Sequence, residues 1–93
     1  MRILRSVEEL RAFRSLLDQK KSLGFVPTMG ALHEGHGELI RQSVKNNDVS
    51  LVSIFVNPTQ FNDKKDLESY PEDHDGDIEL AEKQGAELVF LPS

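Results

Sequence analysis

Eight consecutive residues, Val49-Ser50-Leu51-Val52-Ser53-Ile54-Phe55-Val56, carry β-branched, aliphatic or aromatic side chains apart from two serines. A strand without a polar face has to be buried on both sides, and a parallel sheet covered by helices is the arrangement that does this. The neighbouring segments fit that sheet. Arg2-Ile3-Leu4, Phe25-Val26 and Glu87-Leu88-Val89-Phe90-Leu91 read as further strands, with Pro27 expected to end the second and Pro92 the last. Between them lie three helical patterns. The first covers residues 7–21, with Val7, Leu10, Phe13, Leu16 and Leu17 at helical spacing and Ser6 and Glu9 forming a capping box. The second covers residues 35–46, with Leu39, Ile40 and Val44 as its expected inward stripe. The third covers residues 75–84, weakened by Gly76 and closed by Gly85. The order strand, helix, strand, helix, strand, helix, strand predicts βαβ units and an α/β fold.

Composition narrows the function. The 93 residues suffice for one domain at most. A formal net charge of −5, with basic residues scattered along the chain, argues against a binder of nucleic-acid backbones. The absence of cysteine rules out disulfides and thiolate metal sites. The chain shows neither a signal-peptide core at its start nor an apolar run of membrane-spanning length, so a cytoplasmic protein with no membrane partner is the expectation.

Ligands of open parallel sheets bind outside the carboxyl ends of the strands. Two segments leave strands at that edge: Pro27-Thr28-Met29-Gly30-Ala31-Leu32-His33-Glu34-Gly35-His36 and Asn57-Pro58-Thr59-Gln60-Phe61. The first joins a strand to a helix start, where unpaired N–H groups and the positive end of the helix dipole suit an anion. His33 and His36 admit three readings: ordinary surface histidines, metal ligands, or phosphate contacts. A metal reading lacks a third partner, since His74 is isolated in a charged stretch. Imidazole N–H groups fit a phosphate best, and Gly30 and Gly35 let the backbone come close to a nucleotide. Walker A and G-x-G-x-x-G patterns are absent. The acidic run Glu72-Asp73-His74-Asp75-Gly76-Asp77 lacks the calcium-loop pattern and reads as a solvated helix start.

The two loop strings, together with Asp66-Leu67-Glu68-Ser69-Tyr70-Pro71, resemble the pantothenate synthetase (pantoate–β-alanine ligase) family over residues 24–93. The resemblance implies a Rossmann-like nucleotidyltransferase fold of the HxGH type, followed in the family by a smaller C-terminal domain. Residues 1–93 would form the N-terminal part of the nucleotide-binding domain, an incomplete first domain with the C-terminal domain absent. It also implies a two-step reaction with ATP and Mg²⁺. Pantoate is adenylated with loss of pyrophosphate, and the amine of β-alanine then displaces AMP to give pantothenate. Carried over by motif position, Met29, Gly30, Ala31, Leu32, His33, Glu34, Gly35 and His36 would line the ATP site. His33 and His36 would be the catalytic pair, with His36 matching the proton donor. Gln60 would bind pantoate near the β-alanine position, and Pro27, Thr28, Met29, Asn57 and Phe61 would shape that pocket. No protein metal site and no bound organic cofactor are implied.

Two positions depart from the family pattern. Gly37 replaces a common apolar residue, at a cost of about 1 kcal/mol in helix propensity. Glu72-Asp73-His74 stands where Arg-Thr-Leu is frequent. An unfinished sheet also predicts self-association, as a homodimer or otherwise, and no ligase activity for these residues alone. The rival readings are another HxGH-type nucleotidyltransferase and a non-catalytic nucleotide-binding or dimerising module.

Overall fold

The computed structural model describes residues 1–56 and 72–92. Its elements run β1 (Arg2–Leu4), α1 (Val7–Leu16), β2 (Leu23–Thr28), α2 (Glu34–Asn46), β3 (Val49–Ile54), α3 (His74–Lys83) and β4 (Leu88–Phe90). The four strands form one wholly parallel sheet in the order β1-β4-β3-β2. All six residues of β3 are buried, as its composition requires. On one face of the sheet Val26, Val52, Ile54 and Val89 pack with Ile40 of α2 and Ala81 of α3. On the other face Leu4, Leu51 and Leu88 pack with Leu10, Phe13 and Leu17 at α1. The α/β architecture is the expected one, and the core is split by the sheet into two layers.

Several local expectations are corrected. Helix α1 stops at Leu16, short of Lys21, with Leu17 extended as its C-cap. Asp18 ends the pattern by claiming the backbone for itself. Its carboxylate accepts from Lys20 N at 2.9 Å, and its carbonyl accepts from Lys21 N at 2.9 Å. Val7 and Leu16 are therefore exposed, and the inward stripe is Leu10, Phe13 and Leu17. The capping box is also altered: Ser6 Oγ accepts from Glu9 N, while the Glu9 carboxylate accepts from Arg5 N.

Pro27 lies inside β2 and does not terminate it. Strand β2 stands at the sheet edge, bonded only to β3 among the described residues. An edge strand of a parallel sheet needs donors from alternate residues only, so one missing N–H is tolerated.

Helix α2 does not use the expected stripe. Ile40 is fully buried, but Leu39 is 54% exposed and Val44 36%. The face turned to the sheet is Ile40, Ser43 and the C-cap Asn47, whereas buried Gly37 faces Gln84 at the end of α3. Ser43 Oγ lies 2.7 Å from Ser50 Oγ. A Cβ on Gly24 of β2 would sit 2.1 Å from Ser43 Oγ and 2.6 Å from Asn47 Nδ2. Strand β3 also ends at Ile54, so that Phe55 and Val56 have left the sheet ladder, although Phe55 N still donates to Thr28 O at 3.0 Å.

The two buried helix and strand glycines should respond oppositely to alanine. Gly24→Ala has no room and should lower unfolding stability by about 1–3 kcal/mol. At Gly37 the nearest atoms to a new Cβ, Arg41 Nη1 and Gln84 Cγ, both stand at 3.6 Å, an ordinary contact. Gly37→Ala should therefore raise stability by about 0.5–1 kcal/mol. Urea melts of the two variants, followed by circular dichroism, check both signs.

Candidate nucleotide-binding site

Strands β2 and β3 end in register, with Thr28 opposite Ile54. Thr28 ties the ends together: its hydroxyl donates to Ser53 O at 2.9 Å and accepts from Gly30 N at 3.2 Å. The chain then reverses through two consecutive residues of left-handed conformation, Gly30 (φ 86°) and Ala31 (φ 53°). Glycine takes that conformation freely, whereas alanine does so at a steric cost. Gly30 is wedged in place, because a Cβ there would stand 3.1 Å from both Asp77 Oδ2 and Ile54 Cγ2.

The amides that this reversal strands are collected by side chains. Ala31 N donates to Asp77 Oδ2 at 3.0 Å and Leu32 N to Asp77 Oδ1 at 2.7 Å. His33 is the N-cap of α2, and its Nδ1 accepts from Gly35 N at 3.1 Å. His36 reaches back so that its Nδ1 accepts from His33 N, also at 3.1 Å. The two rings lie 4.2 Å apart, tilted by 52°.

This geometry fixes the tautomers. A backbone N–H can only donate, so Nδ1 of each imidazole must be the bare acceptor nitrogen, and each neutral ring carries its proton on Nε2. Two Nε2–H donors are thereby held side by side at the N-terminus of a 13-residue helix, whose dipole favours an anion. The pKa of His36 is lowered from its ordinary 6.5, first by burial, then by repulsion from His33, against a raising effect of Asp77. The neutral donor is thus the resting form near neutral pH. Glu34, a negative charge beside this donor pair, is paired with Arg41 Nη2 at 3.1 Å, and Arg41 also reaches Gln84 of α3 at 2.7 Å.

The expected site residues divide accordingly. Met29, Gly30, Ala31, Leu32, His33, Glu34, Gly35 and His36 form one turn at the end of β2, with Pro27 and Thr28 entering it. Gly30 is buried, Met29, Ala31 and Leu32 are half-buried, and His33, Glu34 and Gly35 are exposed. Asn57, Gln60 and Phe61 lie outside the described residues. The turn does not offer its loop amides to a ligand as expected, since Thr28, Asp77 and His36 already hold those of Gly30, Ala31, Leu32 and His33. What it presents instead is imidazole N–H.

Asp77 overturns the reading of its acidic run as wholly solvated, being 3% exposed. Asp73 performs the capping of α3, accepting from Gly76 N at 3.1 Å. A signal for Asp77 was present in the spacing: it stands four residues before Ala81, and so shares the face of α3 that enters the core. No group of three or more His, Cys, Asp or Glu side chains suited to a metal occurs among the described residues.

The family profile described as pantoate-beta-alanine ligase matches residues 2–93. The chain belongs to the pantoate-beta-alanine ligase family. Among curated relatives, the pantothenate synthetase of Bdellovibrio bacteriovorus is 56% identical over 97% of this chain and 35% of its own length. That of Phocaeicola vulgatus is 52% identical over the whole chain and 33% of its own length. The chain therefore spans about a third of the length of the curated ligases it matches. Among solved structures, the pantoate-beta-alanine ligase of Francisella tularensis, complexed with beta-gamma ATP and beta-alanine, superposes with a TM-score of 0.95 at 43% identity, covering 100% of this chain and 36% of that one. The Thermus thermophilus pantothenate synthetase gives 0.89 at 42% identity, covering 100% and 32%. These likenesses bear out the nucleotidyltransferase-type α/β fold of the ligase family expected from the motifs.

The capped histidine pair carries a pH signature. A proton added to His36 must go to Nδ1, which displaces the His33 N–H bond and opens the cap. With its folded pKa below the unfolded value, His36 contributes stability above about pH 6.5 that is lost as pH falls through the folded pKa. An NMR titration of the ring protons should give a His36 midpoint below 6.5, and His36→Ala should flatten the decline of stability on the acid side.

Proposed function

We propose that this chain supplies the triphosphate-binding part of an ATP-dependent ligase that joins pantoate and β-alanine to form pantothenate. The observation carrying this reading is the pair of Nε2–H donors that the cap geometry locks at the N-terminus of α2. Family membership and the nucleotide and β-alanine in a closely similar solved structure support it.

A carboxylate attacks a phosphate poorly because both are anionic. The site must therefore lower that repulsion and hold the reactants in line. In the first step a pantoate carboxylate oxygen bonds to the α-phosphorus while the bond to the pyrophosphate oxygen breaks. His33 and His36 donate to phosphate oxygens, and the helix dipole adds to the same field. Because Nδ1 of His36 is occupied, its contribution is hydrogen-bond donation through Nε2. Delivery of a whole proton would require the cap to open first. In the second step the β-alanine amine attacks the activated acyl carbon, AMP leaves, and the amine gives up a proton. Gln60, whose amide both donates and accepts, is suited to orient pantoate and β-alanine. Asn57, Phe61, Pro27, Thr28 and Met29 complete the pantoate pocket in this reading. Mg²⁺ would arrive with the triphosphate, since Asp77 is already engaged by two amides and the described residues offer no ligand cluster. A cytoplasmic homodimer is the assembly this reading favours, with part of the ATP site outside these residues.

Calorimetry with a non-hydrolysable ATP analogue tests the phosphate role. Affinity should fall roughly tenfold to hundredfold in His36→Ala, the value of one or two charge-assisted hydrogen bonds. A bound polyphosphate raises the His36 pKa. Affinity should therefore rise as pH falls through the bound-state pKa, and His36→Ala should lose that part of the slope. Titrated with the analogue and with pantoate, unchanged binding of both in His36→Ala and Gln60→Ala would remove the site from consideration. Pantoate-dependent exchange of pyrophosphate into ATP, by the ligase containing this segment, separates this activity from other nucleotidyl transfers.

A further inference from the structure

Buried carboxylates are costly, and one that serves only stability is readily replaced by an apolar residue of similar size. Asp77 is buried, yet α3 does not need it, because Asp73 already caps that helix. Both Asp77 oxygens are spent on a segment more than forty residues away in sequence, at Ala31 and Leu32. Those amides flank the point where an alanine is held at φ 53°, a conformation that alanine rarely adopts unaided. The next residue, His33, begins the cap that orients both imidazoles. A glycine at position 30 leaves room for the carboxylate: an added Cβ would crowd it at 3.1 Å. Carboxylate, glycine, strained alanine and capped histidines form one continuous chain of contacts.

We propose that Asp77 is a positioning residue for the nucleotide site, clamping the Ala31–Leu32 turn from α3 so that the Nε2–H groups of His33 and His36 are aimed together at a polyphosphate. This role rests on the reading of the two histidines as phosphate donors. Asp77 acts through the backbone and does not touch the ligand. Its charge also lies close enough to His36 to favour the protonated ring, so the clamp and the electrostatics of the donor pair are linked. An asparagine in its place keeps the shape but offers one acceptor oxygen for two amides, and its NH₂ group would face an N–H.

The test uses the 93-residue chain and the β,γ-imido analogue of ATP with Mg²⁺. In the unsubstituted chain, through-hydrogen-bond couplings should link the Ala31 and Leu32 nitrogens to the Asp77 carboxyl carbon. Their absence would overturn the clamp without any variant being made. Asp77→Asn should shift the ring resonances of both His33 and His36, lower the His36 midpoint further, and weaken the analogue by about tenfold. Adding Ala31→Gly, which removes the strain the clamp restrains, should recover part of that loss. A role confined to folding would not be relieved by loosening the turn. Unmoved histidine resonances in folded Asp77→Asn, or a loss that Ala31→Gly does not relieve, would defeat the proposal. If the unsubstituted chain fails to bind the analogue, the phosphate reading fails, and the couplings and ring resonances still decide whether Asp77 positions the pair.

Discussion

Between the end of β2 and the first turn of α2 the chain reverses within a few residues, and each amide freed by the reversal needs an acceptor. Backbone carbonyls cannot supply them at a strand-to-helix junction, so side chains must. Thr28, Asp77, His33 and His36 do so with three chemistries, a hydroxyl, a carboxylate and two imidazoles. This constraint couples structure to function in one place. The imidazoles are structural caps through Nδ1, and the same bonds leave Nε2–H as the only face turned outward. In the proposed nucleotide site the loss of either role would disturb the other, and a histidine stands where serine or aspartate is the usual cap.

The fold was legible because it rests on pattern. Strand β3 declares burial on both faces through composition alone, and helix–strand alternation declares the parallel sheet. Pattern misled wherever close approach replaced bulk. On α2 the apolar residues Leu39 and Val44 suggest the inward face, but beside Ile40 the helix docks on the sheet through Ser43, whose smallness carries no hydrophobic signal. Pro27 suggested a strand end because sequence does not reveal which strand is at the edge. The histidine motif was legible as a string, and its placement at a helix start followed from the neighbouring segments. Asp77 was not, since four acidic residues in six look alike until one is seen to share a helix face with Ala81.

Membership of the ligase family sets these details in a larger frame, since the chain covers about a third of its relatives' length. Strand β2 has one bonded neighbour among the described residues, and Phe25 upon it is 57% exposed. The turn that carries the histidines thus hangs from an edge strand. Its rigidity comes from side-chain bonds to β3 and α3 rather than from sheet on both sides. That is a reason for the junction to be bonded so densely.

Gly24 gives the site a second, remote control. Helix α2 bears on the sheet at Gly24, under Ser43 and Asn47, and at Ile40 in the core, and the histidine cap stands at its start. Ile40 is the fully buried side chain between the two ends of the helix. At about 1.5 Å rise per residue, His36 lies about 6 Å along the helix from Ile40 on one side, and the Gly24 contact lies a similar distance on the other. Displacements of about 1 Å at a reacting centre can cost a hundredfold in rate. Gly24, twelve residues before His36, thus sets how closely the helix that carries the proposed donor pair lies on the sheet.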